Sequence, residues 1–170
     1  MKRAKSDFES AAQTAYPALR RAATVLCWNQ ADMEDVVQET LVRAFRSYEL
    51  FRGDCSFFTW AYSILARVAA ETNRKSARSI PEDVAGCCAQ PPNSMEDGLA
   101  LDEDARRVVG AIRALPERQR QMVTLHFLED LSYKDIARVL GVSIGTVKAT
   151  LFAARSTLRT LLQRDDTFRR

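Results

Sequence analysis

A glycine between two amphipathic segments near the C-terminus restricts the folds open to this chain more than any other feature. Ser132 opens the first segment and has a carboxylate, Asp135, three residues later, as at a capped helix N-terminus. Gly141 follows, where a turn between two helices needs a residue that is free to take positive φ. Ser143 caps the second segment, whose apolar residues recur every three or four positions: Val147, Leu151, Ala154, Leu158 and Leu161. This pattern predicts a helix-turn-helix.

The opposite face of the second segment suits DNA. Near its start it shows small, apolar and cationic residues, namely Ile144, Gly145, Lys148, Ala149 and Phe152. The N-terminal part of a recognition helix is the part that enters the major groove. The pattern therefore favours duplex recognition, and a helical hairpin without DNA contacts is the alternative.

The remainder of the chain indicates an all-α protein. Residues 11–26, 32–45 and 57–74 carry apolar side chains at helical spacing, and Asp32 is predicted to cap the second of these helices. A Gly-Asp pair between the second and third helices predicts a loop. Pro116 is predicted at the first position of a later helix. No alternation typical of a β-strand is present.

The middle of the chain is acidic and interrupted by prolines. Residues 77–105 hold one arginine and seven acids, whereas residues 106–170 hold 13 basic and six acidic residues. Pro91 and Pro92 exclude a helix between the blocks, and a basic C-terminal block suits a phosphate backbone. The predicted divisions are a small helical domain, a flexible acidic linker and a second small helical domain: 6–76, 77–103 and 104–164.

Composition and cysteine spacing limit the classes of function that this chain can have. The 170 residues are 46% hydrophobic, enough for a core, and lack both an apolar run of membrane-spanning length and a signal-peptide pattern. We therefore expect a cytoplasmic protein without membrane insertion. None of Cys27, Cys55, Cys87 and Cys88 lies at a metal-site spacing, and no nucleophile–base pair or phosphate loop is recognisable. We expect no metal, no cofactor and no enzymatic activity; a redox role of Cys87 and Cys88 stays open.

Three segments, in this order, are similar to one protein family. The first runs from Asp32 to Thr40, the second from Phe51 to Trp60, and the third from Leu115 through the helix-turn-helix to Lys148. Together they resemble an extracytoplasmic-function sigma factor of bacterial RNA polymerase, of the two-domain kind, with sigma region 2 followed by sigma region 4. A helix-turn-helix alone is shared by many regulators, whereas the combination is typical of this family.

The resemblance implies partners. Such proteins bind core RNA polymerase through the β′ clamp and the β flap, recognise promoter DNA, assist its opening, and are commonly held by an anti-sigma factor. The segment similar to the clamp-docking helix carries polar residues suited to docking: Asp32, Glu34, Asp35, Gln38, Glu39 and Arg43.

The resemblance also implies two DNA-reading elements. One reads the minus-ten element, where a loop holds an extruded base and the next helix carries the strand. Its residues are Phe51, Arg52, Gly53, Asp54, Ser56, Arg67, Asn73 and Arg74. The other reads the minus-thirty-five element with Ser143, Ile144, Gly145, Thr146, Lys148, Ala149, Phe152 and Arg155. Relatives often carry more basic residues on both helices, so we expect weaker unaided DNA binding, with apolar contacts from Ala149 and Phe152 to thymine methyl groups.

Two other functions explain parts of the sequence. A helix-turn-helix regulator that binds an operator as a dimer explains the C-terminal block, and a decoy that binds another regulator explains the sparse basic residues. The regulator leaves the acidic docking segment and the Phe-Arg-Gly-Asp loop without a role, so the sigma factor is preferred. The acidic linker is expected to act as a spacer, and masking of the basic block is the alternative.

Overall fold

The computed structural model describes residues 5–78 and 103–168, and the side chains of residues 6–77 and 103–163. All regular structure in these ranges is helical, without a strand, which confirms the predicted all-α class. Most of the predicted linker, with Cys87 and Cys88, lies outside the described residues. Its first two residues and its last belong to helices.

The first block is a bundle of three helices. They are α1 (Lys5–Leu26), α2 (Met33–Arg46) and α3 (Phe57–Arg78), and each packs against the other two. Their core consists of fully buried apolar side chains such as Leu19, Val36, Val37, Tyr62 and Leu65. Pro17 lies inside α1.

A cluster of aromatic rings closes one end of this bundle. Phe8 of α1 contacts Tyr48 and Phe57 edge to face, with centroids 5.2 and 5.6 Å apart. The ring centroids of Phe51 and Trp60 lie 5.1 Å apart at the edge of the cluster. Because Tyr48 and Phe51 precede α3 and Trp60 is on it, the cluster holds the connection between α2 and α3 against the bundle.

The second block has four α-helices, α4 (Glu103–Arg113), α5 (Glu117–Val123), α6 (Tyr133–Leu140) and α7 (Ile144–Phe168). A π-helical turn, Thr124–Leu128, continues α5. The buried side chains Met122, Leu125, Ile136, Val147 and Leu151 form the core on which α6 and α7 cross. This crossing is the predicted helix-turn-helix.

The capping residues of the helix-turn-helix are as predicted. The Oγ of Ser132 accepts from the N–H of Asp135 at 3.2 Å, and the Oγ of Ser143 accepts from the N–H of Thr146 at 3.0 Å. Gly141 has φ +63°, the left-handed conformation that ends α6.

Two predicted helix starts differ in detail from the structure. Asp32 is the N-cap residue of α2, as predicted, but its side chain makes no capping bond and accepts instead from the Oγ of Ser76 at 3.3 Å. Asn29 caps the preceding turn by accepting from the N–H of Ala31 at 3.1 Å. Pro116 is the N-cap of α5, one residue before its predicted position, since its ψ of 143° is extended.

Among the described helices, none is by itself long and apolar enough to cross a membrane. The two helices of the helix-turn-helix, taken over Tyr133–Leu140 and Ile144–Gln163, pass that test of length and composition only as a pair bent by 103°.

Candidate nucleic-acid interface

The start of α7 presents the predicted minus-thirty-five residues on one exposed face. Ile144, Lys148 and Phe152 are exposed and follow each other at intervals of four residues, whereas Val147 and Leu151 are buried against α5 and α6. Phe152 is 78% exposed. An apolar ring at this exposure has little contact within the fold, so the face suits an apolar surface in a groove as well as a phosphate.

Other predicted residues border this face. Gly145, Thr146 and Ala149 are exposed, and the Ser143 and Thr146 hydroxyls lie 2.9 Å apart. The Arg155 guanidinium lies over the ring of Phe127, 5.3 Å from its centroid. This cation–π contact holds Arg155 at the edge of the face while leaving the residue exposed.

The loop before α3 keeps its tip exposed and its ends fixed. Arg52, Gly53 and Asp54 are exposed, and Gly53 has φ +81°, which favours glycine. Phe51 is half-buried in the aromatic cluster. At the other end, the Ser56 Oγ accepts from the N–H of Thr59 at 3.1 Å and thereby caps α3. Of the predicted loop residues, Arg52, Gly53 and Asp54 at the tip are therefore accessible to a DNA strand.

The predicted residues of α3 divide into two groups. Arg67 and Arg74 are exposed and lie two turns apart on one side of the helix. Asn73 is only 7% exposed: its Oδ1 accepts from the N–H of Trp28 at 3.0 Å, and its Nδ2 donates to the carbonyl of Leu26 at 2.9 Å. The prediction that Asn73 contacts DNA therefore does not fit this structure, where its amide joins α3 to the end of α1.

The predicted docking residues of α2 also divide. Asp35 and Gln38 are exposed. Glu34 accepts from the Nε of Arg20 at 2.8 Å, and Arg43 forms an ion pair with Glu39 at 2.7 Å. Arg43 also pairs with Glu71, 3.0 Å away, and these two carboxylates raise its pKa. These pairs are partly exposed and contribute little stability.

An apolar part of the same α2 face was not predicted. Val42 and Phe45 are 43% and 49% exposed and share a face with Asp35 and Gln38, at positions three, seven and ten residues on from Asp35. Phe45 continues the helical spacing of the apolar residues in this segment, but such spacing alone does not show where a bundle ends. The exposed face of α2 is thus polar at its start and apolar at its end.

Contacts between the two blocks were not predicted either. The Arg113 guanidinium donates to the Thr24 carbonyl through Nε at 2.9 Å and Nη2 at 2.6 Å. Within the second block, Arg120 is 5% exposed and donates from Nη1 to the Arg113 carbonyl at 2.9 Å. Burial lowers the pKa of both arginines. No signal in the sequence marks these arginines, because their partners are backbone groups.

Cys27 lies beside these arginines and is 1% exposed. Burial and the neighbouring Asp32 raise the pKa of its thiol to about 12, against the opposing effect of Arg113 and Arg120. In the described ranges no group of three or more His, Cys, Asp or Glu side chains is placed to hold a metal ion.

Two family models match the chain, one for each block. Residues 12–79 match the model described as Sigma-70 region 2, and residues 105–158 match the model described as Sigma-70, region 4.

Similar proteins agree with these matches. The chain is 34% identical over 142 residues to the ECF RNA polymerase sigma-E factor of Haemophilus influenzae, covering 78% of this chain and 75% of that protein. The protein of that name in Escherichia coli K12 is also 34% identical, with 74% of it covered. The sigma factor RpoE in complex with the anti-sigma factor NepR from Bartonella quintana has a TM-score of 0.77 at 28% identity, covering 92% of this chain and 97% of that one. CnrH in complex with the cytosolic domain of CnrY has the same fold, with a TM-score of 0.71 at 24% identity over 95% and 91% of the two chains.

Proposed function

This chain belongs to the extracytoplasmic-function sigma factors of RNA polymerase, and we propose that three of its surfaces carry out promoter-directed initiation. As an alternative sigma factor, it acts in transcription initiation. The three surfaces are the exposed start of α7, the loop before α3 with its arginines, and the exposed face of α2.

The start of α7 reads the minus-thirty-five element. The exposed row of Ile144, Lys148 and Phe152 is the observation that carries the proposal. Lys148 supplies a cation for a phosphate or a guanine edge, and Phe152 supplies an apolar surface for a thymine methyl group. The capped N-terminus of α7 lies beside them, and the positive end of its helix dipole attracts the phosphates of the DNA backbone.

The loop tip and α3 bind the nontemplate strand of the minus-ten element. Arg52 and Asp54 at the tip offer groups to an extruded base, and Arg67 and Arg74 lie along α3 for the following phosphates. The aromatic cluster behind the loop holds Phe51 in place, so the loop loses little conformational freedom when its tip binds a strand. We leave Asn73 out of this set.

The exposed face of α2 docks on core polymerase. Asp35 and Gln38 provide its polar end, and Val42 and Phe45 provide apolar area that gains from burial. The other predicted docking residues, Asp32, Glu34, Glu39 and Arg43, act at the rim, since each already has a hydrogen bond or ion pair within this chain. The clamp of β′ is the proposed surface for this face, and the β flap the proposed surface for the second block.

An anti-sigma factor is a further proposed partner. The support is the Bartonella sigma factor, which shares the fold and was solved in complex with an anti-sigma factor. The proposed site of action is the cytoplasm, where core polymerase is.

Footprinting on genomic promoter fragments, with and without core polymerase, tests the proposed function. A sigma factor protects a promoter only together with core, and run-off transcription starts downstream of the protected region. Protection by the chain alone would favour the helix-turn-helix regulator, and no protection in either case would favour the decoy.

A further inference from the structure

Arg155 lies on the same face of α7 as the proposed reading residues. It follows Ile144 by eleven residues, which is about three helical turns, so it continues the row of Ile144, Lys148 and Phe152. Along the helix axis it is about 10 Å beyond Lys148. The first turns of a recognition helix contact base edges, and a cation farther along is placed for the phosphates that border the groove.

The guanidinium of Arg155 is held by an aromatic ring instead of a carboxylate. Its Cζ lies 5.3 Å from the ring centroid of Phe127, and among the described side chains no carboxylate forms an ion pair with it. Arg138, on the first helix of the same helix-turn-helix, is paired with Asp135 at 3.5 Å. A carboxylate neutralises a guanidinium and occupies its donors. The ring of Phe127 carries no charge, so the cation and its N–H groups stay available for a phosphate.

Burial in the core does not account for Phe127. Its ring is 45% exposed, whereas Thr124 and Leu125 in the same π-helical turn are fully buried. The fold therefore leaves a large apolar side chain at the surface of the second block, beside the proposed reading face of α7. Such turns are frequent at functional sites.

A stack of rings fixes Phe127 from its other side. The His126 ring centroid lies 4.7 Å from that of Phe127 and 4.9 Å from that of Tyr133, the first residue of α6. The Nδ1 of His126 lies 3.1 Å from the Leu131 carbonyl oxygen. Because a carbonyl oxygen can only accept, Nδ1 carries the hydrogen of this bond, which sets the orientation of the imidazole. The stack thus runs from α6 to Arg155.

The connection that carries this stack is closed by backbone contacts. The Leu131 N–H donates to the Leu125 carbonyl at 3.0 Å, and Asp130 takes φ +51°, in the left-handed region. His126 and Phe127 therefore stand on a fixed turn, and their rings keep their positions relative to α7.

Order in a long cationic side chain affects DNA binding. Arginine has many rotamers, and this freedom is lost when its guanidinium binds a phosphate. A guanidinium that a ring already holds loses less freedom on binding, so the same phosphate contact gives a higher affinity.

We propose that Phe127 is a positioning residue for promoter binding: its ring, fixed by His126, orders the Arg155 guanidinium for a backbone phosphate at the edge of the minus-thirty-five element. This inference rests on the proposed function, because it takes the exposed face of α7 as the DNA-reading face.

Variants at two positions separate the ring from the cation. Phe127→Leu removes the ring and keeps an apolar side chain, and Phe127→Tyr is the matched control that keeps the ring. Arg155→Ala removes the cation, and its control is Arg159→Ala, one turn farther along α7 and also exposed. Circular dichroism and urea unfolding show whether each variant folds. Phe127→Met replaces Phe127→Leu if the latter does not.

Nuclear magnetic resonance of the full chain measures the positioning without DNA. The ring current of Phe127 shifts the side-chain proton resonances of Arg155. We expect this shift in the wild type and in Phe127→Tyr, and its loss in Phe127→Leu. Equal Arg155 resonances in the wild type and Phe127→Leu would show that the ring does not order the guanidinium, which would overturn the proposal.

Promoter binding by holoenzyme measures the consequence. The probe is a labelled promoter duplex found by footprinting, titrated at several salt concentrations and followed by fluorescence anisotropy. We expect Phe127→Leu to bind about threefold more weakly with an unchanged salt slope, since the cation is still present. Arg155→Ala should also bind more weakly, with a slope smaller by about 0.9. Phe127→Tyr and Arg159→Ala should bind like the wild type.

The double variant decides whether Phe127 acts through Arg155. Phe127→Leu with Arg155→Ala should bind like Arg155→Ala alone, because the ring then has no cation to position. Losses that multiply in the double variant would overturn the positioning role. Weaker binding of Phe127→Leu to core polymerase itself would also overturn it and would assign the ring to the polymerase interface. If the wild-type holoenzyme does not bind the duplex, the proposed function fails, whereas the Arg155 resonances still report whether Phe127 orders this side chain.

Discussion

Arg113 donates two hydrogen bonds to the backbone carbonyl of Thr24, at 2.9 and 2.6 Å, across a sequence separation of 89 residues. The contact joins the last residue of α4 to the last turn of α1, so the ends of two helices from different blocks meet. Since it uses a backbone acceptor, it requires the fold of α1 but no particular side chain at position 24. One side chain at a helix end thus contributes a specific contact between the two blocks.

Substitutions on the exposed α2 face are expected to weaken polymerase docking. Asp35→Arg or Gln38→Ala should reduce the affinity for core polymerase, by a few kcal/mol if the contact is desolvated and by less at a rim. Circular dichroism should show unchanged helix content, because both residues are exposed. Gln13→Arg, on the exposed side of α1, is the control. If both α2 variants bound core polymerase with wild-type affinity, this face would not be the docking surface.

Lys148→Ala is expected to weaken duplex binding by holoenzyme and to make it less dependent on salt. One cation fewer on the DNA releases about one counterion fewer, so the slope of log affinity against log salt should fall by about 0.9. Arg159→Ala is the control, because Arg159 is exposed on the same helix about 16 Å farther along. An unchanged slope together with unchanged transcription would show that this face does not read DNA.

Asn73→Ala is expected to destabilise the fold. It leaves the Trp28 N–H and the Leu26 carbonyl without the partners they have in the structure, at a cost of about 2–4 kcal/mol in the free energy of unfolding. Urea unfolding measures this cost. Arg74→Ala, at the next position, should change stability by less than about 0.5 kcal/mol and weaken single-strand binding instead. A stable Asn73→Ala variant that fails to bind the strand would return Asn73 to the DNA-contacting set.

The buried thiol of Cys27 is expected to make stability fall at alkaline pH. Its pKa is raised to about 12 by burial, whereas the unfolded thiol ionises near pH 9. Below pH 9 both states hold the proton, and above it the unfolded state loses the proton first, so stability falls as pH rises from 9 toward 12.

Unfolding free energies of the wild type and Cys27→Ala, compared between pH 7 and pH 10, isolate this effect from the other titrating groups. The wild type should lose about 1.4 kcal/mol more than the variant by pH 10. Parallel curves would show that Cys27 is not protected from ionisation in the folded state.

The sequence alone was sufficient for the features that local interactions decide. The caps at Ser132 and Ser143, the left-handed turn at Gly141 and the helical spacing of Val147 and Leu151 all involve residues within four positions of one another. Such contacts form wherever the helix forms, so the all-α class and the helix-turn-helix followed from the printed sequence.

Tertiary packing decided which predicted residues are accessible. Asn73 and Arg74 are adjacent in sequence, yet one is buried against the end of α1 and the other is exposed, because the rotation of α3 in the bundle sets their directions. Phe45 continues the apolar spacing of α2 but lies half outside the core. The contact of Arg113 with Thr24 exists only once two blocks meet, since a backbone carbonyl has the same chemistry at every position and acquires a distant partner only through the fold.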